Sequence, residues 1–200
     1  IVLCILFLPN ERLLSEEKHD KKKGVFREYY AFVIAMFLLM FTFFVYPTEF
    51  AIETVREGII PAGLIAVIMA GADLVAFAGG LLFVHIKKRM GEKMKYAAPL
   101  LFFAGYMLLA FTDGRGGILA GSALIGFANG IGIPYIISAA SAKAGRSAAT
   151  TVMPVISAAM YLAQFVTPII LSAVSAVAVN AECLPYMAAG ASAVLLAAWS

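Results

Sequence analysis

The sequence is poor in charge and has only one tryptophan, two cysteines and two histidines. Asp, Glu, Lys and Arg make up 14% of its 200 residues, whereas 62% are hydrophobic. Soluble domains contain about 25% charged and about 45–50% apolar residues, so this composition excludes an ordinary soluble domain and indicates a polytopic membrane protein. At about 20 residues for each helix that crosses a bilayer, plus connections, the chain has room for roughly six spans.

The scarcity of cysteine and histidine excludes several function classes. Cys4 and Cys183 lie in or beside apolar segments near opposite ends of the chain, which argues against a disulfide framework. His19 lies in a predicted cytoplasmic loop and His85 at the cytoplasmic end of a predicted span, and no Ser–His pair, carboxylate dyad or metal-ligand cluster occurs at membrane depth. We therefore predict no enzyme, no cofactor and no metal. No polar face gathers Lys and Arg as nucleic-acid binding requires, so no nucleic-acid partner is predicted.

Apolar runs and the residues that interrupt them divide the chain into segments. The chain does not begin with Met, and residues 1–9 are too short to cross a membrane, so we interpret them as the end of a preceding transmembrane helix. The mixed-charge stretch 10–28 is predicted to be a cytoplasmic loop. A six-helix transmembrane domain is predicted over 29–200, with spans at about 29–52, 60–86, 97–112, 117–141, 149–175 and 183–200.

The basic residues alternate from loop to loop. Of the 15 Lys and Arg residues, thirteen lie in the loops 10–28, 86–96 and 142–148. The intervening loops contain only Arg56 and Arg115. Because cytoplasmic loops carry the excess of Lys and Arg, the first set is predicted to face the cytoplasm.

A few polar side chains remain inside the predicted spans. Asp73, Asn129 and Gln164 lie about 18–22 Å from the edges at which their spans begin, in the middle region of a hydrocarbon core of about 30 Å. A carboxylate at that depth is either a functional group or a protonated residue that holds helices together, and the sequence leaves both open. Glu49 is predicted near the outer interface, where it is solvated or belongs to the same pathway. Tyr46, in the same span, is predicted to belong to that pathway as well.

Proline and glycine residues interrupt the spans that contain these polar residues. Pro47 precedes Glu49, and Pro168 follows Gln164 by one helical turn. The segment GFANGIGIP contains Gly130, Gly132 and Pro134, and its Gly126 and Gly130 are spaced for a close contact between helices. Transporters use such breaks as hinges or to expose backbone at a binding site, so these residues are candidate gating positions.

Three local motifs and the overall pattern resemble the C-terminal half of a major facilitator superfamily transporter, from helix six to helix twelve. HIKKRMGEKM matches part of the cytoplasmic motif G-x-L-a-D-R-x-G-R-K of that family through Arg89, Gly91 and Lys93, while Val84 and Lys88 replace its first Gly and its Asp. GFANGIGIP resembles the Gly-rich fourth helix of that half. QFVTP resembles its G-Q-x-x-x-P helix.

The resemblance implies an all-α membrane protein, a six-helix bundle that forms one half of a transporter working by alternating access. Asp73, Asn129, Gln164 and Glu49 would then lie on helices that line the central cavity. An aromatic content of 15 Phe and 8 Tyr, without basic residues in the spans, favours proton-coupled efflux of a lipophilic or cationic compound. The alternatives are a nutrient or organic-solute uptake symporter and a non-transporting receptor or scaffold. The expected partners are the substrate, H+, the bilayer of the plasma (inner) membrane and an N-terminal half of the same chain.

Overall fold

The computed structural model describes residues 22–58, 60–112, 114–177 and 190, almost all of them in helices. The elements are α1 (Lys22–Glu57), α2 (Ala62–Met90), a short 3-10 helix (Gly91–Lys93), α3 (Met94–Phe111) and α4 (Arg115–Val177). No strand occurs within these ranges, which confirms the predicted all-α fold class. Residues 1–9, and all of 183–200 except Gly190, lie outside the described residues.

Four helical stretches are long and apolar enough to cross a membrane: Tyr29–Ile52, Gly63–Phe111, Arg115–Ala144 and Ala148–Ala173. A helix satisfies its own backbone hydrogen bonds, which is why apolar segments of this length adopt it in lipid. Gly63–Phe111 contains two helices, because α2 ends at Met90 and the chain turns through Gly91 at φ +55° before α3 begins. Glycine tolerates this left-handed conformation without strain.

Helix α4 cannot be straight. The Ser141 hydroxyl donates a hydrogen bond to the Met153 sulfur at 3.8 Å, whereas twelve residues of straight helix would separate the two positions by about 18 Å. The helix therefore bends sharply where the sequence predicts the loop 142–148. We call Arg115–Ala144 the N-terminal arm of α4 and Ala148–Ala173 its C-terminal arm.

The N-terminal arm of α4 packs against the three preceding helices through its glycines. A side chain at Gly126 or Gly130 would collide with the backbone of Ala72 or Ala76 in α2. The predicted close helix contact through these two glycines is therefore confirmed. Gly121 lies against α3, where a Cβ atom would approach the Gly105 carbonyl oxygen to 2.9 Å, and Gly132 lies against the Leu39 side chain of α1.

The segments richest in Lys and Arg meet at one end of this bundle. The Tyr29 hydroxyl at the start of the first span donates to the Lys143 carbonyl oxygen at 3.3 Å. The Lys87 ammonium near the end of α2 donates to the Ser138 hydroxyl at 2.9 Å. We call this the basic end. That it faces the cytoplasm stays a prediction from the distribution of charge.

Helix α1 begins at Lys22, within the stretch 10–28 that was predicted to be a loop. Its first residues precede the apolar span at Tyr29, so polar helical turns lead into the membrane segment. The helices continue through Pro47 and, in α4, through Pro134, Pro154 and Pro168. The proposed hinge roles of Pro47, Pro134 and Pro168 stay predictions.

Candidate functional site

One face of α1 carries several polar side chains that are buried. Thr42, Tyr46, Glu49 and Phe50 follow one another at spacings that place them on the same side of the helix, and all four are buried. The Thr42 hydroxyl donates to the Leu38 carbonyl oxygen at 2.8 Å. The Tyr46 and Phe50 rings pack with their centroids 4.8 Å apart. This face is turned toward the other helices of the bundle.

Glu49 is not solvated. Its side chain is 7% exposed, and it forms no hydrogen bond or ion pair with a described residue. Of the two alternatives that the sequence leaves open, this burial argues against a solvated carboxyl group, and a role of Glu49 in the transport pathway stays a prediction. Glu49 is buried because of the rotation of α1 about its axis, since it shares the inward face with Tyr46, whereas Ile52 and Val55 occupy the exposed face. The side chain of Glu53 lies outside the described set.

The N-terminal arm of α4 presents a matching polar face. Ser122, Gly126 and Asn129 lie at positions i, i+4 and i+7, and the Tyr46 hydroxyl of α1 is close to Ser122. Within the described part of the chain, no hydrogen bond of ordinary geometry forms with the Tyr46 hydroxyl, the Ser122 hydroxyl or the Asn129 side-chain oxygen, although all three atoms are buried. A buried polar atom without a partner costs about 1–3 kcal/mol. Such a group is expected to be satisfied by water, an ion or a ligand.

Asp73 stands at the edge of the contact between α2 and α4. Its neighbour Ala72 lies against Gly126, whereas the Asp73 side chain itself is exposed. Its carboxylate is near enough for its charge to act on the Tyr46 hydroxyl. Tyr46 therefore connects Ser122 of α4 with the charge of Asp73 in α2, and Asn129 lies on the same face as Ser122, two turns further along α4. We call these four residues the polar cluster.

The other predicted site residues lie elsewhere. Gln164 is exposed on the C-terminal arm between Tyr161 and Phe165, and no described contact joins it to the polar cluster. Pro168 is exposed one turn further along. At the basic end, Arg89, Gly91 and Lys93 form an exposed turn after α2.

Ser122 and Thr42 were missed by the sequence reasoning. Ser122 has a recognisable signal, because it precedes Gly126 and Asn129 on the same helical face. Thr42 lies one turn before Tyr46, and its carbonyl oxygen accepts a hydrogen bond from the Tyr106 hydroxyl of α3. It therefore connects the polar face of α1 to a third helix. Among the described residues, no group of three or more His, Cys, Asp or Glu could hold a metal ion.

A comparison with models of protein families shows to which family the chain belongs. The model of the Major Facilitator Superfamily matches residues 1–168, which is most of the chain. The chain belongs to the Major Facilitator Superfamily. Comparison with curated proteins and with solved structures gave no match.

Membership of the Major Facilitator Superfamily defines the protein as a multi-pass membrane transporter of small molecules in a lipid bilayer. Members of this superfamily are generally not enzymes. The matched residues include all four members of the polar cluster and the three motifs HIKKRMGEKM, GFANGIGIP and QFVTP. In this transporter, Gly126 and Gly130 of the second motif bring α2 and α4 together, beside Asp73.

Proposed function

We propose that the protein is a secondary active transporter that exports a lipophilic or cationic small molecule in exchange for protons. Transport proceeds by alternating access across the plasma membrane. The observation that carries this proposal is Asp73, an exposed carboxylate within a membrane-spanning helix, whose charge acts on the buried Tyr46 hydroxyl. Lipid does not solvate a carboxylate, so the face that presents Asp73 belongs toward a cavity.

The charges around Asp73 favour a cation as its partner. No Lys or Arg occurs in the sequence between Arg56 and Lys87, or between Arg115 and Lys143. The helices that form the polar cluster therefore offer no fixed positive charge at this depth. A proton and a positively charged substrate can each neutralise this carboxylate, but not at the same time. Such competition for one site is what proton–substrate exchange requires.

The surroundings of Asp73 favour a lipophilic substrate. Phe77 lies one helical turn from Asp73 on α2 and is 67% exposed. An aromatic face beside a carboxylate suits an organic cation, because the ring and the charge attract it together. The unpartnered oxygen atoms of Ser122 and Asn129 would hold water or a polar part of the substrate.

The exposed faces of α2 and of the C-terminal arm are proposed to face the N-terminal half of the same transporter. On the C-terminal arm, Gln164 would then line the pathway opposite that half. Buried Glu49 would reach it from the inner face of α1 during the conformational change. Pro47, Gly130, Gly132, Pro134 and Pro168 are the proposed bending positions, and the Arg89–Lys93 turn is proposed to stabilise the inward-closed state.

The test uses the full-length protein in proteoliposomes that contain a pH-sensitive dye. Tetraphenylphosphonium serves as the lipophilic cation, and a neutral sugar and an anionic dye serve as comparison substrates. We expect movement of the phosphonium ion in one direction to drive movement of protons in the opposite direction. Movement of both in the same direction would indicate uptake by symport. No coupled flux with any substrate would contradict the proposal.

Asp73→Asn tests the residue itself. The amide retains the shape and hydrogen-bonding capacity of the carboxylate but cannot exchange a proton. We expect this variant to lose uphill, pH-driven transport at least tenfold while retaining exchange of phosphonium down its own gradient. Asp73→Glu, which retains a carboxyl group that can bind and release a proton at the same position, is the matched control and should retain pH-driven transport. Unchanged uphill transport in Asp73→Asn over the working pH range would remove Asp73 from the mechanism.

A further inference from the structure

A cavity lies at the basic end of the bundle, between α1, α3 and the N-terminal arm of α4. Its volume is about 310 Å³, at the lower end of the range of about 300–1,000 Å³ for small-molecule sites. Its walls are largely apolar and include Phe32, Ala35, Leu39, Ala98, Pro99 and Ile136. None of the polar cluster lines it.

The inner end of this cavity is closed by Leu39, which packs directly against the backbone of Gly132. A Cβ atom there would collide with Leu39 and would approach the Ala98 Cβ atom to 3.1 Å. The α1 residues that line the cavity run from Ala31 to Leu39, which are eight residues apart, so the cavity extends about 12 Å along α1. An elongated apolar space of this depth suits a hydrocarbon chain.

The outer end of the cavity carries a positive charge. Lys95 borders the cavity in the first turn of α3, and its ammonium lies 4.7 Å from the centroid of the exposed Tyr96 ring. Lys95 and Glu92 both lie close enough to act electrostatically on the Tyr135 hydroxyl, which is also at the cavity wall. The loop 86–96 contains five basic residues against the single acid Glu92, so its net charge is positive.

This combination suits an anionic lipid. An anionic phospholipid has a hydrocarbon chain for the apolar cavity and a phosphate for the ammonium group at its mouth. Basic pockets between membrane helices at the cytoplasmic side bind such headgroups, and Lys and Tyr at an interface lie at headgroup level. We propose that this cavity binds an anionic phospholipid of the cytoplasmic leaflet, with one acyl chain beside Leu39 and its phosphate at Lys95.

The test uses the full-length protein in nanodiscs of phosphatidylcholine that contain a small fraction of phosphatidylglycerol with a photoreactive acyl chain. After illumination, the labelled peptides are identified by mass spectrometry. We expect labels in segments 31–39, 95–99 and 132–136. Excess unlabelled phosphatidylglycerol should reduce them at least fivefold, and excess phosphatidylcholine should not. Equal competition by both lipids would mean non-selective contact with bulk lipid and would overturn the proposal.

Two variants act on separate parts of the site. Lys95→Gln removes the charge, and Ala31→Phe places a ring in the cavity that Ala31 lines. Each should lower labelling at least fivefold, whereas Lys88→Gln, at an exposed position outside the cavity, should change it less than twofold. Thermal unfolding in detergent verifies that each variant is folded, and Lys95→Gln tests the proposal even if Ala31→Phe does not fold.

A soluble amphiphile separates a lipid site from a second substrate site. Laurate has a hydrocarbon chain and a negative charge but no phospholipid backbone. If laurate removes the labels and phosphatidylglycerol does not, the proposal is wrong. Because labelling is measured without a substrate or a pH gradient, its outcome is independent of whether Asp73 couples proton movement to transport.

Discussion

Gly130 of α4 lies against the backbone carbonyl group of Ala76 in α2, with no space between them for a side chain. Four residues earlier on both helices, Gly126 makes the same contact with Ala72. The equal spacing shows that the two helices run parallel here. Asp73 lies between the two contacts in sequence, so the position of its carboxylate depends on how closely the helices approach.

Gly130→Ala is expected to lower stability, because the added methyl group must push α2 away from α4. Overpacking of this kind costs about 1–3 kcal/mol. Gly71→Ala in α2 is the control, since nothing lies within 4 Å of its Cβ position. Alanine is also the better helix former by about 1 kcal/mol. The thermal midpoint in detergent should fall for Gly130→Ala and stay level or rise for Gly71→Ala, and equal midpoints would contradict the contact.

Tyr46→Phe and Ser122→Ala are expected to lower transport without lowering stability. Both remove a buried hydroxyl group that has no hydrogen-bond partner, so neither should lower the thermal midpoint. If these groups hold water or substrate, uphill transport should fall by about tenfold, the effect of about 1.4 kcal/mol. Tyr30→Phe, at an exposed position near the basic end, should affect neither. A loss of stability with normal transport would assign the two hydroxyl groups a structural role.

The hydrogen bond from the Tyr106 hydroxyl to the Thr42 carbonyl oxygen connects α3 to α1. Tyr106→Phe removes the donor and leaves the ring in place. We expect it to lower the free energy of unfolding by about 1 kcal/mol, the net contribution of one hydrogen bond. Tyr161→Phe is the control, because Tyr161 is 63% exposed. Equal unfolding midpoints for the two variants would show that the hydrogen bond does not contribute.

The contact of Lys87 with Ser138 connects α2 to α4 at the basic end. The effects of Lys87→Met and Ser138→Ala on the free energy of unfolding should not add up in the double variant. We expect the double variant to differ from the sum of the single variants by about 0.5–1 kcal/mol. Lys88, at the next position, is exposed, so Lys88→Met combined with Ser138→Ala should be additive. Additivity in both pairs would mean that the Lys87 contact makes no contribution.

Much of the fold followed from sequence patterns that act within a single helix. The apolar runs indicate membrane helices because lipid requires internal hydrogen bonding of the backbone. The spacing of Gly126 and Gly130 predicted a close helix contact, and their packing against α2 confirms it. These patterns depend on the period of the helix and on the cost of burying charge. Both can be evaluated from residues that are close together in the sequence.

The composition of the polar cluster and the burial of Glu49 were decided by the tertiary structure. Sequence spacing gives the depth of Tyr46 and of Ser122 along their own helices. Whether the two side chains meet depends on how α1 and α4 are rotated about their axes, and the packing of all the helices together sets that rotation. The same packing turned Glu49 inward and left a cavity beside Lys95, since the spaces between helices belong to no single segment of the chain.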